Sequence, residues 1–233
     1  MTSGVVPRAV VIERLAGIVD AVRRPHPVRG AVDGPDAAGK TTLADELAVA
    51  LRRRGRRVIR ASIEGFHRPR AQRHRSGVDS PEGYYEDSFD DAAFRSALLD
   101  PLGPGGDRAY RTAVFDFRID AALPEPIARA SEDDVLIVDG VFLLRPELVD
   151  GWDLRVFVST GFDEIVRRAT VRDARTLGSP AEVERRYRAR YIPGQRLYFA
   201  EAHPLEAVDL VVENDDPARP VLRVHASDPV GNG

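Results

Sequence analysis

The chain has 233 residues, 43% of them hydrophobic, with no cysteine and a formal net charge of -3. This length suffices for one well-buried domain, the missing cysteines exclude disulfides and cysteine-based metal sites, and the negative charge argues against a general nucleic-acid binder. No stretch approaches the ~20 apolar residues of a membrane span, and charges interrupt any N-terminal signal-peptide pattern, so a cytoplasmic location is expected.

The first predicted elements are a helix and a strand. Apolar residues recur at helical spacing over 8–24, ahead of Pro25 and Pro27, which cannot continue a helix. Residues 28–32 form a short apolar strand, and helical spacing returns over 43–51. The intervening loop is therefore predicted to join a strand directly to a helix.

That loop carries the pattern G-x-x-x-x-G-K-[ST], with its fixed positions at Gly34, Gly39, Lys40 and Thr41. In this pattern backbone N–H groups surround a polyphosphate, the lysine contacts the β- and γ-phosphates, and the hydroxyl binds Mg²⁺. The helix beginning there adds the positive end of its dipole. The candidate phosphate-binding residues are Gly34, Pro35, Asp36, Ala37, Ala38, Gly39, Lys40, Thr41 and Thr42.

The composition strengthens this prediction, because Lys40 is the only lysine among 34 basic Lys and Arg residues. A compact ammonium fits a tight phosphate-binding loop, whereas the wide planar guanidinium of arginine does not. Retention of lysine at this one position indicates a functional constraint.

The second strand, predicted over 58–63, ends at Glu64. Ligands of open α/β sheets bind beyond the carboxyl ends of strands, so Glu64 is a candidate general base or Mg²⁺ partner. The alternative is a carboxylate that only pairs with neighbouring arginines. The basic residues that follow, including His67 and Arg68, could hold an anionic substrate or form a solvated surface segment.

Two further segments supply candidate substrate contacts. Residues 80–90 are predicted as a turn-rich stretch entering a helix, and a strand is predicted over 110–117. Tyrosines and carboxylates together suit a polar ring or a sugar, because tyrosine offers apolar area and carboxylates accept hydrogen bonds from hydroxyls. The candidate substrate residues are Glu64, His67, Arg68, Tyr84, Tyr85, Asp87 and Asp116.

A continuous apolar run over 135–138 ends in Asp139, a pattern typical of a buried parallel strand. Asp139 is then expected beside the phosphate-binding loop, where it can bind Mg²⁺ directly or through water. The candidate metal ligands are Thr41, Glu64 and Asp139. Further strands are predicted over 154–158 and 209–212.

Two arginine-rich helical stretches are joined by the turn Gly178-Ser179-Pro180. We predict a mobile lid over about 167–198 whose arginines can close over phosphate charge. The alternative is a solvent-exposed hairpin.

The ordered set of motifs resembles the uridine kinase and phosphoribulokinase group of P-loop small-molecule kinases, in particular uridine kinase-like proteins. The likeness covers about residues 28–222. Its marks are GPDAAGKTT, EGFHRPR, SPEGYYEDSFD, VDGVFLLRPEL, RRATVRD and RYIPGQRLYF. The resemblance implies an α/β P-loop fold with an open, mostly parallel sheet, helices on both faces and a helical lid. From the chain length we expect a single domain over 1–233. It also implies ATP and Mg²⁺ as cofactors.

By position, Glu64 stands where that group keeps the carboxylate that accepts the hydroxyl proton, and Asp139 where it keeps the carboxylate after the core strand. Arg168 and Arg172 match lid arginines that brace the transferring phosphate. With Lys40, these are the candidate catalytic residues. The chain departs from the group in having Glu64 in place of the usual Asp, and Asp139 in place of the common Glu.

These features predict an ATP-dependent kinase acting on a hydroxyl of a ribonucleoside such as uridine or cytidine. One alternative is a kinase of another small alcohol, such as pantothenate, nicotinamide riboside or a sugar phosphate. Another is a nucleotide-binding regulatory protein with weak or no transfer activity. A small-molecule substrate is expected as partner, with no nucleic acid and no membrane, and homo-oligomer formation is left open.

Overall fold

The computed structural model describes residues 6–124 and 126–224. Short 3-10 or π turns occupy Ile63–Phe66, Arg95–Leu99, Val149–Gly151 and Tyr187–Tyr191. The α-helices of this range are α1 (Arg8–Ala21), α2 (Lys40–Arg53), α3 (Arg70–Arg73), α4 (Pro81–Asp87), α5 (Asp91–Phe94), α6 (Phe162–Arg172), α7 (Ala174–Leu177), α8 (Pro180–Arg186), α9 (Ile192–Ala202) and α10 (Pro204–Ala207).

The same range of residues contains β-strands, several of them consecutive in the chain without an α-helix between them. They are β1 (Val28–Asp33), β2 (Val58–Ser62), β3 (Ala109–Tyr110), β4 (Phe115–Asp116), β5 (Ala121–Ala122), β6 (Ala128–Arg129), β7 (Val135–Asp139), β8 (Leu154–Ser159), β9 (Leu210–Glu213) and β10 (Val221–Val224).

Six of the strands form the central sheet in the order β10-β9-β8-β1-β7-β2. The five strands from β9 to β2 run parallel, and β10 pairs antiparallel with β9 at one edge. The predicted α/β class with a mostly parallel sheet is confirmed. Parallel neighbours need a crossover connection, which the intervening helices provide.

Apolar side chains cover both faces of this sheet. In β7 the residues alternate, with Val135 and Ile137 packed in the cluster that contains α1 and α2, and Leu136 and Val138 in the cluster that contains α4, α5 and α9. Burial on both faces explains why β7 reads as an uninterrupted apolar run. Within the described ranges, the structure has no helix both long and apolar enough to cross a bilayer.

Several predicted boundaries need correction. Helix α1 ends at Ala21 rather than Arg24. The stretch predicted as turn-rich is helix α4, because Ser80 accepts a hydrogen bond from Gly83 N at 2.9 Å and Pro81 occupies the first turn. The strand predicted over 110–117 is two short pieces, β3 and β4, in separate two-stranded ribbons outside the main sheet.

The register brings three strand ends together at the carboxyl edge of the sheet. Asp139, the last residue of β7, lies beside Val32 of β1 and Ser62 of β2. Glu64 follows β2 in a short 3-10 turn at the same edge. The sheet therefore gathers both predicted carboxylates next to the loop that follows β1.

Candidate active site

The loop between β1 and α2 depends on two glycines. Gly34 has φ +144° and Gly39 has φ +96°, conformations that residues with a Cβ rarely adopt. A Cβ at Gly34 would collide with the carbonyl oxygen of Val158, and one at Gly39 would lie 2.6 Å from Nδ2 of Asn214. Gly34 packs directly against the backbone of β8, whereas Gly39 packs against the Asn214 side chain and requires glycine because of its positive φ.

Lys40 begins α2 with its ammonium group turned into the loop. Nζ donates a hydrogen bond to the carbonyl oxygen of Pro35 at 2.7 Å, and the residue is only 9% exposed. Burial lowers the pKa of Lys40, and nearby carboxylate charges offset part of that decrease. These charges belong to Asp36, Asp33, Asp139 and Glu64. Both carboxylates predicted at this edge thus lie close enough to act on Lys40.

Thr41 and Asp139 form an oxygen-rich pair beside Lys40. Thr41 Oγ1 donates to Asp139 Oδ2 at 2.6 Å, while the other carboxylate oxygen accepts from Arg60 Nη2 at 2.9 Å. A hydroxyl and one carboxylate fit Mg²⁺, which kinases bind through one or two carboxylates and the phosphates of the nucleotide. Glu64, the third predicted metal ligand, instead directs its carboxylate to His67.

A buried carboxylate that sequence reasoning missed anchors the start of the loop. Asp33 accepts a hydrogen bond from Gly34 N at 2.7 Å and another from the Tyr198 hydroxyl. That hydroxyl in turn accepts from Leu144 N at 3.1 Å. Burial raises the pKa of Asp33, and its hydrogen-bond donors counter part of the increase. The sequence feature that could have identified Asp33 is its position directly before the first glycine of the motif.

The far side of the loop is held through the carbonyl oxygen of Ala38. This oxygen accepts from Asn214 Nδ2 at 2.7 Å and from Arg168 Nη1 at 3.3 Å. Arg168 also donates to the Asn214 carbonyl at 2.6 Å and pairs with Glu164 at 2.7 Å. Arg168 was predicted to brace the transferring phosphate, but its guanidinium is engaged by backbone carbonyls in this conformation and supports the loop instead.

A cavity of about 320 Å³ opens beside this loop. Its wall combines acidic, basic and aromatic side chains from the loop, the turn after β2, helix α4 and the predicted lid. The lining residues include Asp36, Glu64, His67, Arg73, His74, Tyr84, Phe117, Arg172, Asp173, Arg186, Tyr187, Arg190 and Tyr191. This volume lies within the ~300–1,000 Å³ range of small-molecule sites.

Glu64 is one of the carboxylates in the wall of this cavity. Its side chain is 50% exposed, and its Oε2 lies 3.0 Å from His67 Nε2. Desolvation in the cavity raises the pKa of Glu64, but the hydrogen bond and charge of His67, with the charges of Lys40 and Arg118, lower it by more. Glu64 is therefore ionised at neutral pH and can accept a proton.

The predicted substrate residues are divided between the cavity and the surrounding structure. Tyr84 lines the cavity, and its hydroxyl donates to Asp36 of the loop. Tyr85, the next residue of α4, points instead into the core, where the Arg145 guanidinium lies 4.7 Å from its ring centroid. A step of one residue turns a helix by about 100°, so adjacent tyrosines face different environments.

Three other candidates are engaged elsewhere. Asp87 is buried and pairs with Arg75 at 2.6 Å. Arg68 donates from Nε to the carbonyl oxygen of Phe89 at 2.7 Å. Asp116 accepts from Arg118 N at 2.9 Å, which closes a local turn. The structure gives these three side chains structural roles and places none of them in the wall of the cavity.

The predicted lid shares a small apolar core with the residues of α6 that precede it. Its buried members are Ile165, Val166, Ala169, Val183, Tyr187 and Ile192. Gly178, with φ +103°, separates α7 from α8, and Ser179 accepts from Glu182 N at 3.2 Å to begin α8. Arg172 faces the cavity, paired with Asp173 at 2.6 Å and donating to the Tyr187 hydroxyl at 3.1 Å.

The phosphate-binding loop, the carboxyl-edge aspartate and the adjoining cavity define the class of a P-loop kinase, a nucleotide-binding phosphotransferase. Solved structures agree with this fold. A Bacillus stearothermophilus protein described as a possible uridine kinase has a TM-score of 0.68 at 21% identity, covering 86% of this chain and 96% of that chain. D-glycerate 3-kinase from Cryptococcus neoformans has a TM-score of 0.61 at 14% identity, covering 92% and 99%.

Sequence relatives narrow the class further. The chain is 30% identical over 155 residues to a uridine kinase of Brevibacillus brevis, covering 66% of this chain and 69% of that protein. It is 29% identical over 158 residues to uridine-cytidine kinase B of Dictyostelium discoideum, covering 67% of this chain and 63% of that protein. No protein-family model matches the chain. The chain belongs to the uridine kinase family of P-loop kinases.

Proposed function

We propose that the protein transfers the γ-phosphoryl group of ATP to a hydroxyl of a ribonucleoside, with uridine and cytidine as the expected acceptors. The observation that carries this proposal is one cavity lined by both Asp36 of the phosphate-binding loop and the carboxylate of Glu64. An acceptor bound in that cavity would lie between the phosphate-binding loop and Glu64, the proposed general base. The names of the sequence relatives support a pyrimidine ribonucleoside as acceptor.

The nucleotide side of the proposed site consists of the loop, Lys40, Thr41 and Asp139. Loop amides and the Lys40 ammonium bind the β- and γ-phosphates, which requires Nζ to leave the Pro35 carbonyl. A Mg²⁺ held by Thr41 and Asp139 would neutralise charge on the phosphate oxygens during transfer. Arg60 fixes the orientation of Asp139 through its bond to Oδ1.

On the acceptor side, Glu64 orients the hydroxyl and takes its proton. The hydroxyl oxygen forms a bond to the γ-phosphorus, the bond from that phosphorus to the β,γ-bridging oxygen breaks, and ADP leaves with the electron pair. The proton moves to Glu64 and then to solvent. Tyr84, Phe117 and Tyr191 supply aromatic surface in the same cavity, which suits a planar base.

One observation favours a second candidate, a small alcohol that carries an anionic group. His74 lines the cavity, and its pKa is lowered by desolvation and by the charges of Arg190, Arg73, Arg70 and Arg186. So many cations around one imidazole create a positive region that a phosphate or carboxylate would neutralise.

The test is ADP release with ATP and a panel of acceptors: ribonucleosides, pantothenate, nicotinamide riboside, sugar phosphates and glycerate. We expect uridine or cytidine to give the highest kcat/KM, with the monophosphate identified by mass spectrometry. Turnover confined to sugar phosphates or glycerate would favour the second candidate. ATP binding by calorimetry without phosphorylation of any panel member would favour a regulatory protein.

A further inference from the structure

His67 is held in place from several sides before it reaches Glu64. Its backbone pairs with Phe89 in an isolated bridge, and its ring stacks on the Phe89 ring with centroids 4.5 Å apart. The Phe117 ring meets it edge-on at 4.8 Å. Nδ1 lies 2.9 Å from the carbonyl oxygen of Ser88. The imidazole is 11% exposed and has a fixed orientation.

These contacts determine where the hydrogens on His67 must lie. The Ser88 carbonyl can only accept, so Nδ1 carries a hydrogen and donates it. Nε2 lies 3.0 Å from Glu64 Oε2, and an ionised carboxylate also only accepts. The contact therefore needs one further proton, carried either by Nε2 or by the carboxyl group. In both cases the two side chains together hold one shared proton and have no net charge.

We propose that His67 is a positioning residue that holds Glu64 through this shared proton and presents the free carboxylate oxygen, Oε1, to the acceptor hydroxyl. The inference rests on the proposed role of Glu64 as base. Glu64 has a flexible side chain and is half exposed, so without a rigid partner it would sample many rotamers. The contact with His67 restricts Glu64 to one orientation in the wall of the cavity.

The charges around the pair act on the Glu64 carboxyl group. The hydrogen bond from His67 and its charge lower the pKa of Glu64, and the charges of Lys40 and Arg118 act in the same direction. Loss of the His67 contribution should therefore raise the pKa of Glu64. The acid limb of the pH–rate profile, where the base becomes protonated and activity falls, should then move to higher pH.

A purely structural role for His67, filling the space between Phe89 and Phe117, makes a different prediction. His67→Phe keeps an aromatic ring in that space but removes both nitrogens. The Ser88 carbonyl keeps a donor in Arg68 N at 3.0 Å, so its hydrogen bonding is preserved. A structural role would leave the titration of Glu64 unchanged in this variant.

The first measurement needs no turnover. In protein labelled with ¹³C at glutamate carboxyl groups, the Glu64 resonance is assigned by its absence in Glu64→Gln and followed by NMR from pH 3 to 8. We expect its midpoint to rise by about one pH unit in His67→Phe, the size of shift that loss of an adjacent opposite charge gives. An unchanged midpoint would overturn the proposal.

The second measurement is the pH dependence of kcat with ATP and uridine. His67→Phe should lower kcat at least ~10-fold, since a misplacement of ~1 Å can cost about 100-fold. His67→Gln restores an N–H donor near the position of Nε2 without the charge, and should recover part of kcat while its acid limb stays above that of the wild type.

The control is His203→Asn, which changes an exposed histidine at the end of α9 in a left-handed conformation that asparagine tolerates. It should leave both kcat and the acid limb unchanged. A lower kcat in His67→Phe with an unshifted acid limb would overturn the proposal. If uridine is not phosphorylated at all, the proposed function fails, and the carboxyl titration alone then decides whether the Glu64–His67 pair exists.

Discussion

The two halves of the candidate site are built in different ways. The nucleotide half consists of the loop after β1, the start of α2 and Asp139 at the end of β7. The register of the buried strands places these segments beside one another. The acceptor half is a cavity whose wall comes from segments between Asp36 and Tyr191, most of them short helices and turns. A fixed nucleotide half suits a ligand whose polyphosphate is invariant, whereas side chains on short segments suit an acceptor that differs between related enzymes.

The nucleotide half and the acceptor half also differ in the charges of their side chains. Near Lys40 the charges of four carboxylates act on one ammonium, so a bound Mg²⁺ would offset their repulsion of a polyphosphate. Around His74 the cations are in excess, and their charges lower its pKa. Variants of each half should therefore affect different steps of the reaction.

The largest effect is expected from Lys40→Ala, in the nucleotide half. Loss of the only ammonium should weaken ATP binding and lower kcat/KM by more than about 10³, because the charge is needed in both the bound and transition states. Lys40→Arg should also fail, since Lys40 is buried and the wide planar guanidinium of arginine fits a tight phosphate-binding loop poorly.

Calorimetric titration of ATP and a coupled ADP assay provide the measurements. Arg53→Ala, which removes an exposed cation at the far end of α2, is the matched control. It should leave both ATP affinity and kcat/KM unchanged. Normal ATP affinity in Lys40→Ala would contradict the placement of the polyphosphate in the loop.

A more selective effect is expected from Glu64→Gln, in the acceptor half. General-base catalysis contributes about 10²–10⁴ in rate, and kcat should fall by that order. ATP affinity should stay within a few-fold of the wild type, because Glu64 is assigned to the acceptor. Retained turnover would show that Glu64 takes no part in the chemistry. The acceptor half would then lack the residue that distinguishes its role from that of the nucleotide half.

Single-turnover quench-flow measures the rate of phosphoryl transfer, and calorimetry measures ATP affinity separately. Glu86→Gln changes an exposed glutamate on neighbouring α4 and should behave as wild type.

The smallest effect is expected from Tyr198→Phe, which tests the rigidity of the nucleotide half. The ring remains, but Asp33 loses a donor and Leu144 N loses its acceptor. Leaving buried polar groups unsatisfied should lower the free energy of unfolding by about 1–3 kcal/mol, measured by urea denaturation.

The control for Tyr198→Phe is Tyr110→Phe, which removes a half-buried hydroxyl outside the central sheet. Loss of the Tyr110 hydroxyl should lower the free energy of unfolding by less than loss of the Tyr198 hydroxyl does. Equal losses in the two variants would show that the Asp33 contact does not support the loop.

Local sequence determined the nucleotide half. The glycine spacing, the lone lysine and an apolar run ending in aspartate identified Gly34, Lys40 and Asp139, because these features reflect the conformation of neighbouring residues and the burial of one strand. The family and the α/β fold followed from the same motifs. The position of Glu64 at the same edge of the sheet was also predicted, since it directly follows a predicted strand.

Tertiary structure alone decided the rest. It turned Tyr84 to the cavity and Tyr85 to the core, bonded Arg60 to Asp139, and connected Asp33 to a tyrosine 165 residues away. It also directed Arg168 to backbone carbonyls rather than to the cavity. The physical reason is that which neighbour a side chain meets depends on how distant elements pack, and periodicity along the chain carries no information about that packing.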